Sequence, residues 1–150
     1  MTIRYVHTNL VARDWRRLAA FYTAVFGCEP VGPERDQRGD WLDHGSGVAG
    51  ATIRGVHLRL PGYGEDAPAL EIYSWQPALH AARPAPNRPG LGHLAFAVDD
   101  VSATCEAMLS AGGSRQGEIV TTDIAGVGRL TFAYMRDPEG NIIEVQKWGG

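Results

Sequence analysis

Two stretches of the chain share the same order of strand, acidic residue and helix. HTNLVARDW begins at His7 and HLAFAVDDV begins at His93, and in each stretch an Asp follows the His after six intervening residues, at Asp14 and Asp100. A short carboxylate there, or at the neighbouring Asp99 in the second stretch, can cap a helix, because it accepts the free amide hydrogens of the first turn. This internal similarity predicts a fold built from two copies of one small unit.

An apolar face follows each of the two Asp residues. Large apolar residues recur at intervals of three and four, which is the period of an α-helix. They are Trp15, Leu18, Phe21, Tyr22, Val25 and Phe26 in the first half, and Val101, Cys105, Met108 and Leu109 in the second. Glycine follows each pattern, as is common at helix ends.

Runs typical of β-strands follow each predicted helix. They are IRGVHLRLP and ALEIYSW in the first half, and GEIVTTD, GRLTFAYMRD and IIEVQKW in the second. A further strand of the first half is expected between Glu29 and Trp41, before or within the Gly-rich stretch GDWLDHGSGVAG. We predict an α+β fold with two βαβββ modules in one domain, 1–150. Module 1 covers about 1–76, a proline-rich connector about 77–90 and module 2 about 91–150.

Each half carries a His at its first strand and a Glu within its last strand. Neither residue type is informative alone, but here all four occupy equivalent positions in the repeat. Two carboxylates that face an apolar concavity would lose hydration, and a divalent cation bound together with neutral imidazoles would cancel their charge. We therefore predict a metal site with four ligands: His7, Glu71, His93 and Glu144.

Two nitrogen and two oxygen ligands suit nickel, cobalt, manganese, iron(II) or zinc, and the ligand types do not choose among these ions. Calcium is disfavoured because it prefers oxygen ligands. His44, His57 and His80 have no partner in the repeat and are assigned to surface or loop positions. Arg129 and Arg136 alternate with apolar residues on a predicted strand and are assigned to its solvated face, with binding of a substrate anion as the alternative.

Composition limits the classes of partner. The net charge is −3 and acidic and basic residues are interspersed, so no basic patch for nucleic acid or a membrane surface is expected. Cys28 and Cys105 lack metal-ligand spacing and are expected as reduced thiols. The N-terminus has no apolar leader and no run approaches the length of a membrane span, so we expect a cytoplasmic protein.

Over essentially its whole length the chain resembles the vicinal oxygen chelate superfamily. YVHTNLVARDWRRLAAFYTAVFG, GHLAFAVDD and DPEGNIIEVQ carry the resemblance. The superfamily includes glyoxalase I, methylmalonyl-CoA epimerase, extradiol dioxygenases, and fosfomycin- and bleomycin-resistance proteins. The resemblance implies a curved mixed-sheet cavity, a metal bound by the four residues named above, and a homodimer. Whether the metal site lies within one chain or across two is left open.

Glu71 fills a fourth ligand position, which resembles glyoxalase I and the epimerases, where Gln or Glu occurs, and differs from the three-residue set of the dioxygenases. The resemblance thus implies a lyase or isomerase that uses a metal-chelated enediolate-type intermediate of a small oxygen-bearing substrate. Glu144, or Glu71 if it leaves the metal, would be the catalytic base. One alternative is a non-haem Fe(II) dioxygenase with His7, His93 and Glu144 as ligands, which would consume oxygen. Another is a non-catalytic, resistance-type protein that binds a drug or metabolite without a metal.

Two positions depart from glyoxalase I. That enzyme commonly has an Arg four residues after the first His, which helps to hold the glutathione carboxylate, and an Asn four residues after the first Glu. Here these positions are Val11 and Trp75, which argues against glutathione. Tyr73 and Trp75 share the strand face of Glu71 and are candidate substrate-pocket residues for an apolar or ring-bearing substrate. Packing in a cavity wall is the alternative for both.

Overall fold

Each half of the sequence folds around a sheet of its own. The computed structural model describes residues 2–80 and 82–149, and it divides into two units, Met1–Ala81 and Ala82–Gly150. The fold is α+β with two mixed sheets, which confirms the predicted fold class. The division falls within the stretch 77–90, whose role as a connector stays a prediction.

The first unit forms a four-stranded sheet. In chain order its elements are β1 (His7–Val11), α1 (Trp15–Phe26), β2 (Glu29–Arg38), α2 (Asp40–Ser46), β3 (Thr52–Arg59) and β4 (Ala69–Gln76). The strand order is β1-β4-β3-β2; β1 and β4 pair in parallel, and the other neighbours pair antiparallel.

The second unit repeats this plan around a five-stranded sheet. Its elements are β5 (Leu94–Ala97), α3 (Val101–Ser110), β6 (Ser114–Arg115), β7 (Val120–Ile124), β8 (Gly128–Arg136) and β9 (Ile142–Trp148). The order is β5-β9-β8-β6, with β7 also paired to β8 and β5 parallel to β9. The predicted strand GEIVTTD corresponds to β7, whereas the two-residue strand β6 lies before it and was not predicted; β6 and β7 pair with different parts of β8.

The two predicted helix caps are confirmed. The Asp14 carboxylate accepts a hydrogen bond from the backbone N–H of Arg17 at 3.1 Å, and the Asp100 carboxylate accepts one from Ala103 at 2.9 Å. Gly27 ends α1 in the left-handed conformation, with φ 69°. Each first strand therefore passes directly into a capped helix, as the repeat predicts. Within the described residues no helix has the length and apolar character needed to cross a membrane.

Helix α2 is an element that the sequence did not predict. It forms in the Gly-rich stretch, where Asp43 accepts backbone hydrogen bonds from Gly50 at 2.7 Å and Ala51 at 2.9 Å. Leu42, on the same helix, is buried in an apolar cluster with Ala51, Ile53 and Tyr73. Contacts with distant strands thus stabilise a helix whose own sequence is rich in glycine.

The core side of each sheet is set by residues that alternate with the two glutamates. Leu70 and Ile72 flank Glu71 in the chain and are almost completely buried. Ile143 and Val145 flank Glu144 and are also completely buried. Because neighbours on a strand point to opposite faces, this packing directs both glutamates away from the core side.

Gly55 lies opposite Tyr73 where β3 pairs with β4. A Cβ atom at this position would lie 2.0 Å from the Ile72 carbonyl oxygen and 2.6 Å from Cδ1 of Tyr73. The missing side chain therefore allows the Tyr73 ring to lie close to β3.

Substitution Gly55→Ala should destabilise the protein by about 1–3 kcal/mol or more, because backbone or the Tyr73 ring must move to admit the methyl group. Urea denaturation measures the change in the free energy of unfolding. Gly45→Ala is the matched control, since a Cβ there meets nothing within 4 Å and Ala favours helices more than Gly does. Equal stability of the two variants would contradict this account of the β3–β4 contact.

Candidate functional site

Parallel pairing in the first unit brings an imidazole to a carboxylate. Asn9 is the pairing partner of Glu71, and His7 lies two residues before Asn9 on the same face of β1. The His7 Nε2 atom is 3.1 Å from Oε1 of Glu71. The two predicted residues of this half are therefore in contact.

The second unit repeats the arrangement. Ala95 is the pairing partner of Glu144, and His93 lies two residues before Ala95. The His93 Nε2 atom is 3.1 Å from Oε2 of Glu144. The N–O separation is the same in the two units because the His lies two residues before the pairing partner of the Glu in both.

Burial differs between the acidic and basic members of each pair. The side chains of Glu71 and Glu144 are 12% and 14% exposed. Those of His7 and His93 are 42% and 33% exposed. The carboxylates have thus lost most of their hydration, whereas a solute can still reach the imidazoles.

The donor set of each pair fits a divalent metal ion. An imidazole nitrogen and a carboxylate oxygen are both donor types that such ions bind, and in each pair these two atoms lie 3.1 Å apart. No group of three or more His, Cys, Asp or Glu with a metal-binding arrangement occurs within residues 2–80 and 82–149. The structure thus shows two pairs, and a shared four-ligand centre stays a prediction.

His57 contacts Glu71, so its assignment to a surface or loop position was wrong. It lies in β3 directly opposite Glu71, and its Nε2 atom is 3.0 Å from Oε2 of that residue. The alternating run IRGVHLRLP predicted the strand, but the register between β3 and β4 was needed to place His57. His44 and His80 are exposed, as predicted.

Tyr73 also faces Glu71, as strand alternation predicted. Its hydroxyl donates to Oε2 of Glu71 at 3.2 Å and lies 2.5 Å from Nε2 of His57. On the other oxygen, Asn9 Nδ2 donates to Oε1 of Glu71 at 3.4 Å. Burial and the neighbouring Glu71 charge raise the pKa of Tyr73 to about 12, so its hydroxyl stays protonated and remains a donor.

Trp75 packs against the apolar cluster formed by Leu42, Ala51, Ile53 and Tyr73. Its indole N–H is buried and has no hydrogen-bond partner in the described part of the chain. A cavity of about 310 Å³ in the same unit is lined by Gly27, Glu29, Arg59, Leu60, Pro61, Gly62, Gly64 and Glu65. Neither Tyr73 nor Trp75 lines that cavity, and their role as pocket residues stays a prediction.

Arg136 is buried, which corrects its assignment to a solvated face. Its guanidinium donates hydrogen bonds to Oε1 of Gln116, to the Pro84 carbonyl and to the Gly140 carbonyl, each at 2.8 Å. These acceptors come from segments beyond the strand, so alternation on β8 could not predict them. Arg129 is exposed, as predicted.

The chain matches a known protein family over almost its whole length. The model of the Glyoxalase/Bleomycin resistance protein/Dioxygenase superfamily matches residues 4–145. The chain belongs to this superfamily. The predicted resemblance is thereby confirmed.

Relatives and solved structures agree with this family. A lactoylglutathione lyase of Haemophilus influenzae is 36% identical over 147 residues, 95% of this chain and 90% of that protein. A probable lactoylglutathione lyase of Vibrio parahaemolyticus is 28% identical over 95% of this chain and 88% of its own. The crystal structure of a glyoxalase family protein from Bacillus cereus matches with a TM-score of 0.84 at 17% identity, covering 100% of this chain and 97% of its own. That structural match supports the fold alone.

In the metal-free protein, the Tyr73 hydroxyl should ionise near pH 12, whereas the hydroxyl of a free tyrosine ionises near pH 10. Since its pKa is raised in the folded state, its contribution to stability is present below pH about 10 and is lost as the pH rises toward 12. Phenolate absorbance of the native protein, minus that of a Tyr73→Phe variant, measures this transition. A difference curve centred near pH 10 would show that burial and the Glu71 charge do not raise the pKa of Tyr73.

Proposed function

We propose that this superfamily member is a metal-dependent lyase or isomerase of the glyoxalase I type. Its substrate is a small molecule with oxygens on two adjacent carbons. The main support is the repeated contact between an imidazole and a largely buried carboxylate at equivalent positions of the two units. Relatives named lactoylglutathione lyase, at 27% to 36% identity, support the same class of reaction.

The residues proposed to hold a common divalent ion are His7, Glu71, His93 and Glu144. The two carboxylates would offset the charge of the ion, and the neutral imidazoles would supply nitrogen ligands. When bound, such an ion stabilises the negative charge that develops on the oxygens of the substrate. Nickel, cobalt, manganese, iron(II) and zinc all suit this donor set.

Glu144 is the proposed base. Its Oε2 atom contacts His93, and no hydrogen bond to its Oε1 atom is found among the described residues. An ionised carboxylate has about four acceptor positions, so Glu144 keeps free capacity to accept a proton. In the proposed reaction it takes the proton from a substrate carbon that bears oxygen and returns it to the neighbouring carbon.

The environment of Glu71 favours this proposal over a dioxygenase that uses three ligands. In that alternative Glu71 would be a bystander. Its side chain is only 12% exposed and contacts His7 at 3.1 Å, the same separation as between His93 and Glu144. A role as bystander does not account for a Glu71–His7 contact equal to the contact between Glu144 and His93. We therefore assign Glu71 to the donor set.

Glu144→Gln should lower kcat by about 100- to 10,000-fold, because an amide cannot accept the proton. The far-UV circular dichroism spectrum should stay unchanged, since the amide has the same shape. Glu118→Gln is the control, because Glu118 is exposed and lies in the same unit; it should retain full activity. Unchanged turnover in the Glu144 variant would remove this residue from the mechanism.

Glutathione should give little advantage as part of the substrate. Val11 is 61% exposed at the end of β1 and supplies no charge for the glutathione carboxylate. Hemithioacetals of methylglyoxal with glutathione and with 2-mercaptoethanol should therefore differ in kcat/KM by less than about tenfold, or 1.4 kcal/mol. A much larger preference would show a glutathione site elsewhere in the chain. If the enzyme turns over neither compound, this substrate class is excluded.

A further inference from the structure

The two glutamates are equally buried but have unequal sets of polar neighbours. Their side chains are 12% and 14% exposed. Within the described residues, Glu144 has a polar side-chain contact with His93. Four side chains make such contacts with Glu71: His7, Asn9, His57 and Tyr73. Equal burial therefore does not explain the additional donors around Glu71.

The contacts divide between the two oxygens of Glu71. Oε1 is approached by His7 at 3.1 Å and by Asn9 at 3.4 Å. Oε2 is approached by His57 at 3.0 Å and by Tyr73 at 3.2 Å. Because each oxygen has its own set of donors, rotation of the carboxylate would break contacts on both sides. The Glu71 carboxylate is thus fixed in orientation.

The units differ at the strand positions that produce these contacts. Gly55 lies opposite Tyr73 in the first unit, and Phe132 lies opposite Gln146 in the second. The aromatic ring thus comes from the last strand in one unit and from its neighbour in the other. Since Gly55 has no side chain, the Tyr73 ring can lie against β3 with its hydroxyl 2.5 Å from His57.

No such group of donors surrounds the second glutamate. Tyr134 lies opposite Glu144, as His57 lies opposite Glu71. The Tyr134 ring packs on the His93 ring, with centroids 5.1 Å apart. Gln146 accepts a hydrogen bond from the Trp148 indole at 3.1 Å. The two residues that correspond to His57 and Tyr73 thus have other partners.

We propose that His57 and Tyr73 are positioning residues that hold Oε2 of Glu71, so that Oε1 stays beside His7 to receive the metal ion. This inference rests on the proposed function, because it assumes that Glu71 is a metal ligand. His57 and Tyr73 act through Glu71 and take no part in proton transfer. Loss of either residue therefore weakens metal binding, while the chemical step of the loaded enzyme is preserved.

Binding of Zn²⁺ alone tests the proposal without a substrate. Partners that orient a ligand typically contribute about 10- to 100-fold to metal affinity. Tyr73→Phe keeps the ring and removes the hydroxyl, so it should weaken Zn²⁺ binding by about that factor in competition with a chromogenic chelator. Tyr134→Phe is the matched control from the second unit, and its affinity should equal that of the wild type.

A pair of substitutions at His57 separates hydrogen bonding from packing. His57→Gln keeps an N–H donor and should retain most of the Zn²⁺ affinity, whereas His57→Leu should lose about 10- to 100-fold. At saturating Zn²⁺, His57→Leu should regain a kcat close to that of the wild type. Glu144→Gln should stay inactive at every Zn²⁺ concentration.

The outcomes distinguish the inference from the proposed function. If Tyr73→Phe and His57→Leu bind Zn²⁺ as the wild type does and only their melting temperatures fall, His57 and Tyr73 are structural and the inference is overturned. The proposed function would survive that result. If the wild type binds none of the ions Zn²⁺, Ni²⁺, Co²⁺, Mn²⁺ and Fe²⁺, the proposed function fails, and the inference fails with it.

Discussion

The parallel pairing between the first and last strands of each unit places a carboxylate beside an imidazole. In both units the His lies two residues before the residue that pairs with the Glu, and the N–O separation is 3.1 Å in each. A slip of one residue would turn every side chain of the last strand to the other face. The candidate metal ligands therefore depend on strand register more than on any contact between the ligands themselves.

The core of each sheet fixes this register. Leu70 and Ile72 bury the core side of β4, and Ile143 and Val145 do the same for β9. Turning Glu71 or Glu144 away from its imidazole would expose these apolar residues to water, at about 25 cal/mol per Å². The free energy of core packing thus maintains two largely buried carboxylates that would otherwise favour hydration.

The two units have the same pair of candidate ligands, whereas the neighbouring strand gives each pair different surroundings. In the first unit, β3 contributes His57 and leaves space for Tyr73 through Gly55. In the second unit, β8 contributes aromatic rings at these two positions, which pack against each other and leave Glu144 with fewer donors. This difference suits the proposed division between a fixed carboxylate ligand and a carboxylate that accepts a proton.

The sequence by itself determined the repeat, the capped helices, most of the strands and the faces of Glu71 and Glu144, because each of these follows from local spacing. Only the tertiary structure decided that His57 meets Glu71, that Arg136 is buried and that α2 forms in a Gly-rich stretch. Each of these outcomes depends on segments that lie far apart in the chain, such as β3 and β4 around His57 or the connector near Arg136. Periodicity reports which face a residue occupies within its own strand. The register between strands, which sets the opposing residue, arises when the whole sheet packs.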